Sequence, residues 1–380
     1  MKVNYTLHTG AKSGGSIALY KIMNGLTERG HQVTVTLPGK PKGAIEWLSP
    51  EVELITPKYY WTLANGLAFR AINKFFKRTL KGNSYLDVYR GMDMLEEIMP
   101  ECDINVATYC FTAFPVFRSG KGIPFYHMQS YEPFFYTDPH IVALAEESYY
   151  LPLNKIANSL WLRNQIKEGF GEDVPIVNPG IDLSVFRRRG RERRGLKKRV
   201  ICYGSSKDMK AFPEAIETMK IVYKERKDIE WVVFGLSPLK EHSNEAPYSF
   251  LQGISHEELA ELYSTADALF CPSWYESFPL PPLEAMACGA PVVTTRYGTE
   301  DYCFHEENSL VVPPREPKLM AEAILRLLED RNLADKLSEN GLKTAQGFTW
   351  DKTVDKIDAL FRQKLYPAEK EKTKVEETKT

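Results

Sequence analysis

The chain contains the same opening twice, and that repetition limits the folds open to it more than any other feature. Residues 2–8 read as a strand and residues 9–15 (TGAKSGG) as a glycine-rich turn. Residues 16–29 then read as a helix in which Leu19, Ile22, Met23 and Leu26 recur at helical spacing. Gly30 stops that helix, and Gln32 to Leu37 forms the next strand. The plan restarts at Arg199 with a strand VICYG, a polar turn SSKDMK, a helix from about Pro213 to Tyr223 and a strand WVVFG at 231–235. Helices at 257–263 and 281–287 then alternate with strands at 268–272 and 291–295. Two βαβ openings about one domain length apart predict an α/β protein of two Rossmann-like, doubly wound domains, and 380 residues suffice for two cores.

The turn residues Asn178-Pro179-Gly180 and the basic run that follows mark the junction. The predicted division is residues 1–185, residues 186–348, a C-terminal helix at 349–366 packing back toward the N-terminal domain, and a tail at 367–380. That tail (PAEKEKTKVEETKT) carries many charges and almost no apolar side chains, so it is expected to be disordered.

Charge and cysteine usage exclude several functions. A formal net charge of −1 argues against a globally basic nucleic-acid binder. The six cysteines form no C-x-x-C pair and have no histidine at metal-ligand spacing, so they read as buried thiols in a reducing compartment and no metal is expected. The start MKVNYTLH enters directly as a strand, and no apolar run reaches the ~18 residues that span a bilayer. A cytoplasmic protein is expected. The first glycine-rich turn lacks both G-x-G-x-x-G and G-K-[ST], and the strand ending Thr36-Leu37-Pro38 has no acidic residue to hold a dinucleotide ribose. Dinucleotide enzymes and phosphate-loop NTPases lose support. Gly14 and Gly15 can still let backbone N–H groups approach a phosphate at a helix start, although a tight turn alone would explain them.

Residues 271–293, CPSWYESFPLPPLEAMACGAPVV, carry the chemistry. A strand ends in a loop bearing Glu276, and a helix beginning near Pro281 bears Glu284 in its first turn, which places two carboxylates beside one helix N-terminus. N–H groups at that end, Leu280 among them, can bind a phosphate, and a carboxylate is a natural acceptor for paired sugar or ribose hydroxyls. The competing reading is a Glu284 that only complements the helix dipole and a solvated Glu276.

The stretch resembles the retaining glycosyltransferases of GT-B fold known as glycosyl transferases group 1. Glu276 to Glu284 matches that family's E-x7-E motif, and LEAMACGAPVV is close to its usual wording. The likeness extends through Glu258 to Asp267, Gly298 to Pro313, Phe348 to Asp351 and Asn178 to Phe186 (NPGIDLSVF), and is strongest between about 178 and 350. It implies two Rossmann-like domains facing across a cleft. It implies also that Glu284 holds the ribose of a nucleotide-sugar donor, that Glu276 contacts the donor sugar, and that Ser277, Phe278 and Leu280 shape the sugar pocket and supply main-chain donors. In similar enzymes a basic pair neutralises the diphosphate; the lysine aligns with Lys210, but Ser205 stands where an arginine is usual, and Lys207 is the candidate substitute. Pro279 also removes one N–H from the loop.

In the first domain the resemblance puts Gly14 or Gly15 against the diphosphate and a histidine near the donor sugar. His127 in IPFYHMQSYEPFFY is the candidate, with a hydrogen-bonded core histidine as the alternative. Gln129 and Glu132 of the same loop are expected to face the acceptor. The resemblance implies retention of configuration without metal or cofactor, the leaving diphosphate being stabilised electrostatically, and a saccharide or lipid-linked acceptor in surface polysaccharide or glycoconjugate synthesis. Residues 58–81 contain no acidic residue and place Arg70, Lys74, Lys77 and Lys81 on one helical stripe. That stripe suits either a solvated helix face or a peripheral contact with an anionic membrane. The run 187–199 reads as a solvated linker. Two other classes compete: a non-catalytic nucleotide-sugar-binding subunit, favoured only by Ser205, and a glycoside hydrolase, in which the glycine turn and Lys210 would have no role.

Overall fold

A computed structural model describes residues 1–9, 14–39, 45–57, 84–190 and 197–367. Contacts divide the chain into two compact units. The first comprises residues 1–157, 165–177 and the segment from Asp351 onward; the second comprises residues 158–164 and 178–350.

The first unit is built on a six-stranded parallel sheet in the order β3-β2-β1-β4-β5-β6. Its strands are β1 (Lys2–Thr6), β2 (Gln32–Thr36), β3 (Glu53–Ile55), β4 (Ile104–Ala107), β5 (Ile123–Met128) and β6 (Asn154–Ala157). Four consecutive residues of β1, of β2 and of β4 are buried, as strands covered on both faces require. Helix α1 (Gly14–Glu28) links β1 to β2, and α2 (Ser84–Ile98), α3 (Cys110–Ser119) and α4 (Pro139–Glu147) follow; α5 (Leu160–Phe170) belongs to the second unit up to residue 164 and to the first from Gln165.

The second unit has its own parallel sheet of six strands, β7 (Lys198–Tyr203), β8 (Ile229–Gly235), β9 (Ser249–Gln252), β10 (Ala268–Cys271), β11 (Val292–Thr295) and β12 (Leu310–Val312). Its order is β12-β11-β10-β7-β8-β9, so each sheet, counted from its own first strand, has the order 3-2-1-4-5-6. Alternate residues feed opposite cores. Val200, Cys202 and Phe270 pack with α6 (Phe212–Glu225) and α9 (Pro317–Glu329), whereas Ile201 and Leu269 pack with α7 (His256–Ser264) and α8 (Leu280–Ala287). Helix α10 (Arg331–Ala345) packs against α8.

Helix α11 (Trp350–Leu365) contributes to the first unit from Asp351 on. A side chain on Gly25 of α1 would come within 2.6 Å of Val354, so glycine permits that approach. Phe361 is fully buried and meets Phe125 edge-on at 4.8 Å, Arg29 makes two hydrogen bonds to Asp355 (2.6 and 3.0 Å), and His31 Nε2 lies 2.9 Å from Asp358. Both the basic stripe at 58–81 and residues 368–380 of the charged tail lie outside the described residues.

Candidate functional site

In a doubly wound sheet, neighbouring strands whose following helices go to opposite faces leave a crevice at their carboxyl ends. In the second unit this occurs between β7 and β10, because α6 and α8 lie on opposite faces. A pocket opens there, lined by Tyr203 and Lys210 on one side and by Cys271, Ser273, Glu276 and Pro279 on the other.

The sequence brings these groups together by two loops. Lys210 ends a short 3-10 turn after β7, and Ala211 behind it adopts a left-handed backbone (φ 54°) before α6 begins. Lys210 Nζ is hydrogen-bonded to Glu276 Oε1 and lies 5.4 Å from the centre of the Tyr203 ring. Ser273 Oγ donates to the same carboxylate oxygen at 2.8 Å. Burial works against the ammonium, but attraction and hydrogen bonding to Glu276 outweigh it, and the lysine pKa is raised. The two loops are stapled by Trp274, whose N–H donates to Met209 O (2.9 Å) and whose indole donates to Glu214 (2.7 Å).

Glu276 is held from behind by Gly298. The Glu276 N–H donates to Tyr297 O (3.1 Å), and Gly298 has φ 94°; a side chain there would meet Glu276 O at 2.2 Å. Only glycine suits that position. Gly298, Ser273 and Tyr203 all sit in stretches already singled out, but their roles do not follow from the sequence, and that of Gly298 comes from a backbone crossing more than twenty residues away.

Helix α8 starts at Leu280, so Glu284 is its fifth residue and lies beyond the first turn where it was expected. Pro281 and Pro282 fall in the first turn of the helix, where a missing N–H leaves no intrahelical bond unmade. Pro279, Pro281 and Pro282 have no N–H, which leaves Leu280 and Leu283 as the donors at this helix end. The Glu284 side chain is almost wholly buried and accepts a hydrogen bond from Tyr263 at 3.3 Å. Burial pushes its carboxyl up to about 7 despite that bond.

Other expected residues stand elsewhere. Ser277 is bonded to Asn158, and Phe278 turns into the core against Tyr302 and Phe348. Ser205 is partly exposed and its Oγ accepts from the Lys207 N–H (3.3 Å), while the Lys207 side chain lies in solvent. In the first unit, Gly14 begins α1 and Gly15 faces Gln129, a side chain on Gly15 coming 3.8 Å from Gln129 Cβ. His127 sits inside β5 at 2% exposure; burial depresses its pKa to about 4, and its Nδ1 has no hydrogen-bond partner among the described residues. Glu132 is buried rather than facing an acceptor, because two tyrosine hydroxyls, those of Tyr126 and Tyr149, draw its carboxyl into the first unit.

Comparison with known proteins connects this geometry to a family. Residues 186–344 match the model of the family described as glycosyl transferases group 1. That segment holds the whole pocket. By sequence the chain is also similar to the D-inositol 3-phosphate glycosyltransferase of Paenarthrobacter aurescens (strain TC1), at 26% identity over 222 residues, 52% of this chain and 54% of that one. The corresponding protein of Corynebacterium efficiens is 33% identical over 115 residues, 30% of this chain and 27% of that one. The match therefore spans between about a quarter and a half of these curated relatives. Among solved structures, Anabaena Alr3699/HepE, in complex with UDP and glucose, superposes with a TM-score of 0.73 at 16% identity, covering 96% of this chain and all of that one. That likeness establishes the fold as GT-B, with two Rossmann-like domains. Among the described residues no helix is long and apolar enough to cross a membrane.

Proposed function

We propose that the chain is a glycosyltransferase that moves a sugar from a nucleotide-sugar donor to a saccharide or lipid-linked acceptor, with retention of anomeric configuration and without a metal. The observation that carries this reading is the meeting of Lys210, Glu276 and Ser273 at the carboxyl ends of β7 and β10, inside the segment that matches the family. An ammonium and a carboxylate that neutralise each other across the pocket are suited to exchange partners when a donor enters. Lys210 would turn to the diphosphate and carry the charge that builds on the leaving group, and Glu276 would accept from sugar hydroxyls. Glu284, buried beside Tyr263 and not itself among the groups that line the pocket, would take the ribose. Retention and the division of labour between the two glutamates rest on the E-x7-E resemblance.

Lys210 supplies, within the chain itself, the positive charge that a metal would otherwise bring to the diphosphate. On the same resemblance, unit 1 is assigned to the acceptor, Gly14 or Gly15 to the diphosphate and His127 to the donor sugar. A role in surface polysaccharide synthesis and a peripheral membrane contact through residues 58–81 belong to the same proposal. UDP-sugars are the first donors to try, because similar structures hold UDP. The test is to incubate the protein with UDP-, GDP-, ADP- and dTDP-sugars and to measure nucleoside diphosphate released. One base should support release that Glu276→Ala abolishes; release from none, or release untouched by that substitution, would overturn the reading.

A further inference from the structure

The chain leaving β12 runs Pro313-Pro314-Arg315-Glu316-Pro317 into α9. The prolines fix φ on either side, so the change of direction falls on the two residues between them, and Arg315 takes it with a left-handed backbone, φ 62°. Glycine adopts that conformation without penalty, so an arginine there points to a task for its side chain. The Arg315 guanidinium lies over the ring of Trp274, 4.2 Å from its centre. At the edge of the same ring the indole N–H donates to Glu214 at 2.7 Å, so a cation on the face and a carboxylate on the N–H reinforce each other through one side chain. Among the described residues three non-glycine residues have positive φ, and two of them, Ala211 and Arg315, stand at the two ends of this assembly.

The assembly bears on the pocket from outside, since Arg315 is not among the residues that line it. The Trp274 N–H donates to Met209 O at 2.9 Å; Met209 immediately precedes Lys210, and Trp274 stands two residues before Glu276. Glu214 lies in the first turn of α6, just beyond the Lys210 loop. Trp274 is therefore tied to both ends of the segment 209–214 that carries Lys210, once by its backbone and once by its indole, while Arg315 covers its ring. We propose that Arg315 is a positioning residue: by holding Trp274 against Glu214 it sets the segment 209–214, and with it Lys210, opposite Glu276 and within reach of the diphosphate. The role at the diphosphate rests on the transferase reading, whereas the placing of Lys210 against Glu276 can be read without any ligand. A cation over a solvent-exposed ring is a modest hold, so losing it should alter the placing of Lys210 by about two- to fivefold and not abolish it.

The variants are R315G, which suits the left-handed turn and removes the guanidinium, R315Q, which removes the charge, and R315K, which keeps it. Acetic anhydride labelling of the full chain, read by peptide mass spectrometry as the ratio of Lys210 to Lys207 modification, reports on Lys210 without ligand, because Lys207 is already exposed. R315G and R315Q should raise that ratio by the stated factor and R315K should stay near the wild type, with R315G unfolding in urea at a midpoint no lower than the wild type. Calorimetric affinity for UDP should fall by the same factor in R315G and R315Q, while affinity for uridine, which brings no phosphate to Lys210, stays constant. A labelling ratio unchanged in both variants overturns the proposal, as does a joint loss of UDP and uridine affinity, which a general loosening of the unit would produce. A labelling response in a protein that turns over no nucleotide sugar sustains the positioning role and removes the transferase reading. Turnover of a nucleotide sugar without any labelling response removes the positioning role alone.

Discussion

At the residue scale the site depends on side chains whose ordinary behaviour is altered by burial, and on one residue that must have no side chain. Gly298 combines a positive φ with a 2.2 Å approach to the Glu276 carbonyl, so alanine must both adopt a disfavoured backbone and push Glu276 away. Gly298→Ala should destabilise the protein by about 1–3 kcal/mol and lower donor turnover, checked by urea unfolding beside a nucleoside diphosphate release assay. Glu284 is a second case. Its carboxyl is raised by burial from 4.5 to about 7, so between these values the folded chain binds more protons than the unfolded one, and stability must fall as pH rises through that window. Glu284→Gln should flatten that part of the stability profile, as measured by denaturant titrations at pH 5, 6, 7 and 8; a slope equal to the wild type would mean that the carboxyl is already ionised at pH 5. Burial of this kind could not be read from the sequence. The motif supplied the two glutamates, but neither the ion pair of Glu276 with Lys210 nor the inward turn of Phe278 and Glu132 follows from their spacing.

Among elements, legibility tracked periodicity. Strands and helices whose apolar residues recur strongly, such as α1 and β10, lie within a few residues of their expected bounds, and both sheets follow from the two βαβ openings. The start of α8 falls one residue before the expected Pro281, which suffices to move Glu284 out of the first turn. Helix α11 illustrates packing that sequence pattern alone cannot locate: a C-terminal helix at 349–366 was expected, whereas the residues that receive it, Gly25 and Phe125, were not. Phe361 is fully buried against Phe125, so Phe361→Ala should cost about 3–5 kcal/mol. The midpoint of chemical unfolding reads that loss directly, and a change below about 1 kcal/mol would show that α11 contributes little to the first unit.

At the scale of the whole molecule, the donor is assigned to one unit and its electrostatic stabilisation to the chain's own Lys210. Chelator treatment should accordingly leave transfer essentially intact; complete loss restored by a divalent ion would contradict that assignment. Lys210→Ala should reduce turnover and also stability, because it leaves the largely buried Glu276 carboxylate without its cation. The central claim is that the second unit grips a nucleotide and a sugar with different groups, and calorimetric UDP affinity set beside single-turnover sugar transfer tests it most directly. Glu284→Ala should weaken UDP binding by about tenfold to more than a hundredfold, the cost of one charged hydrogen-bond partner. Glu276→Ala should leave UDP affinity unchanged or tighter, since Lys210 is then released from its ion pair, while transfer falls sharply. If Glu276→Ala instead loses UDP affinity and Glu284→Ala does not, or if neither substitution alters binding or transfer, that claim is contradicted.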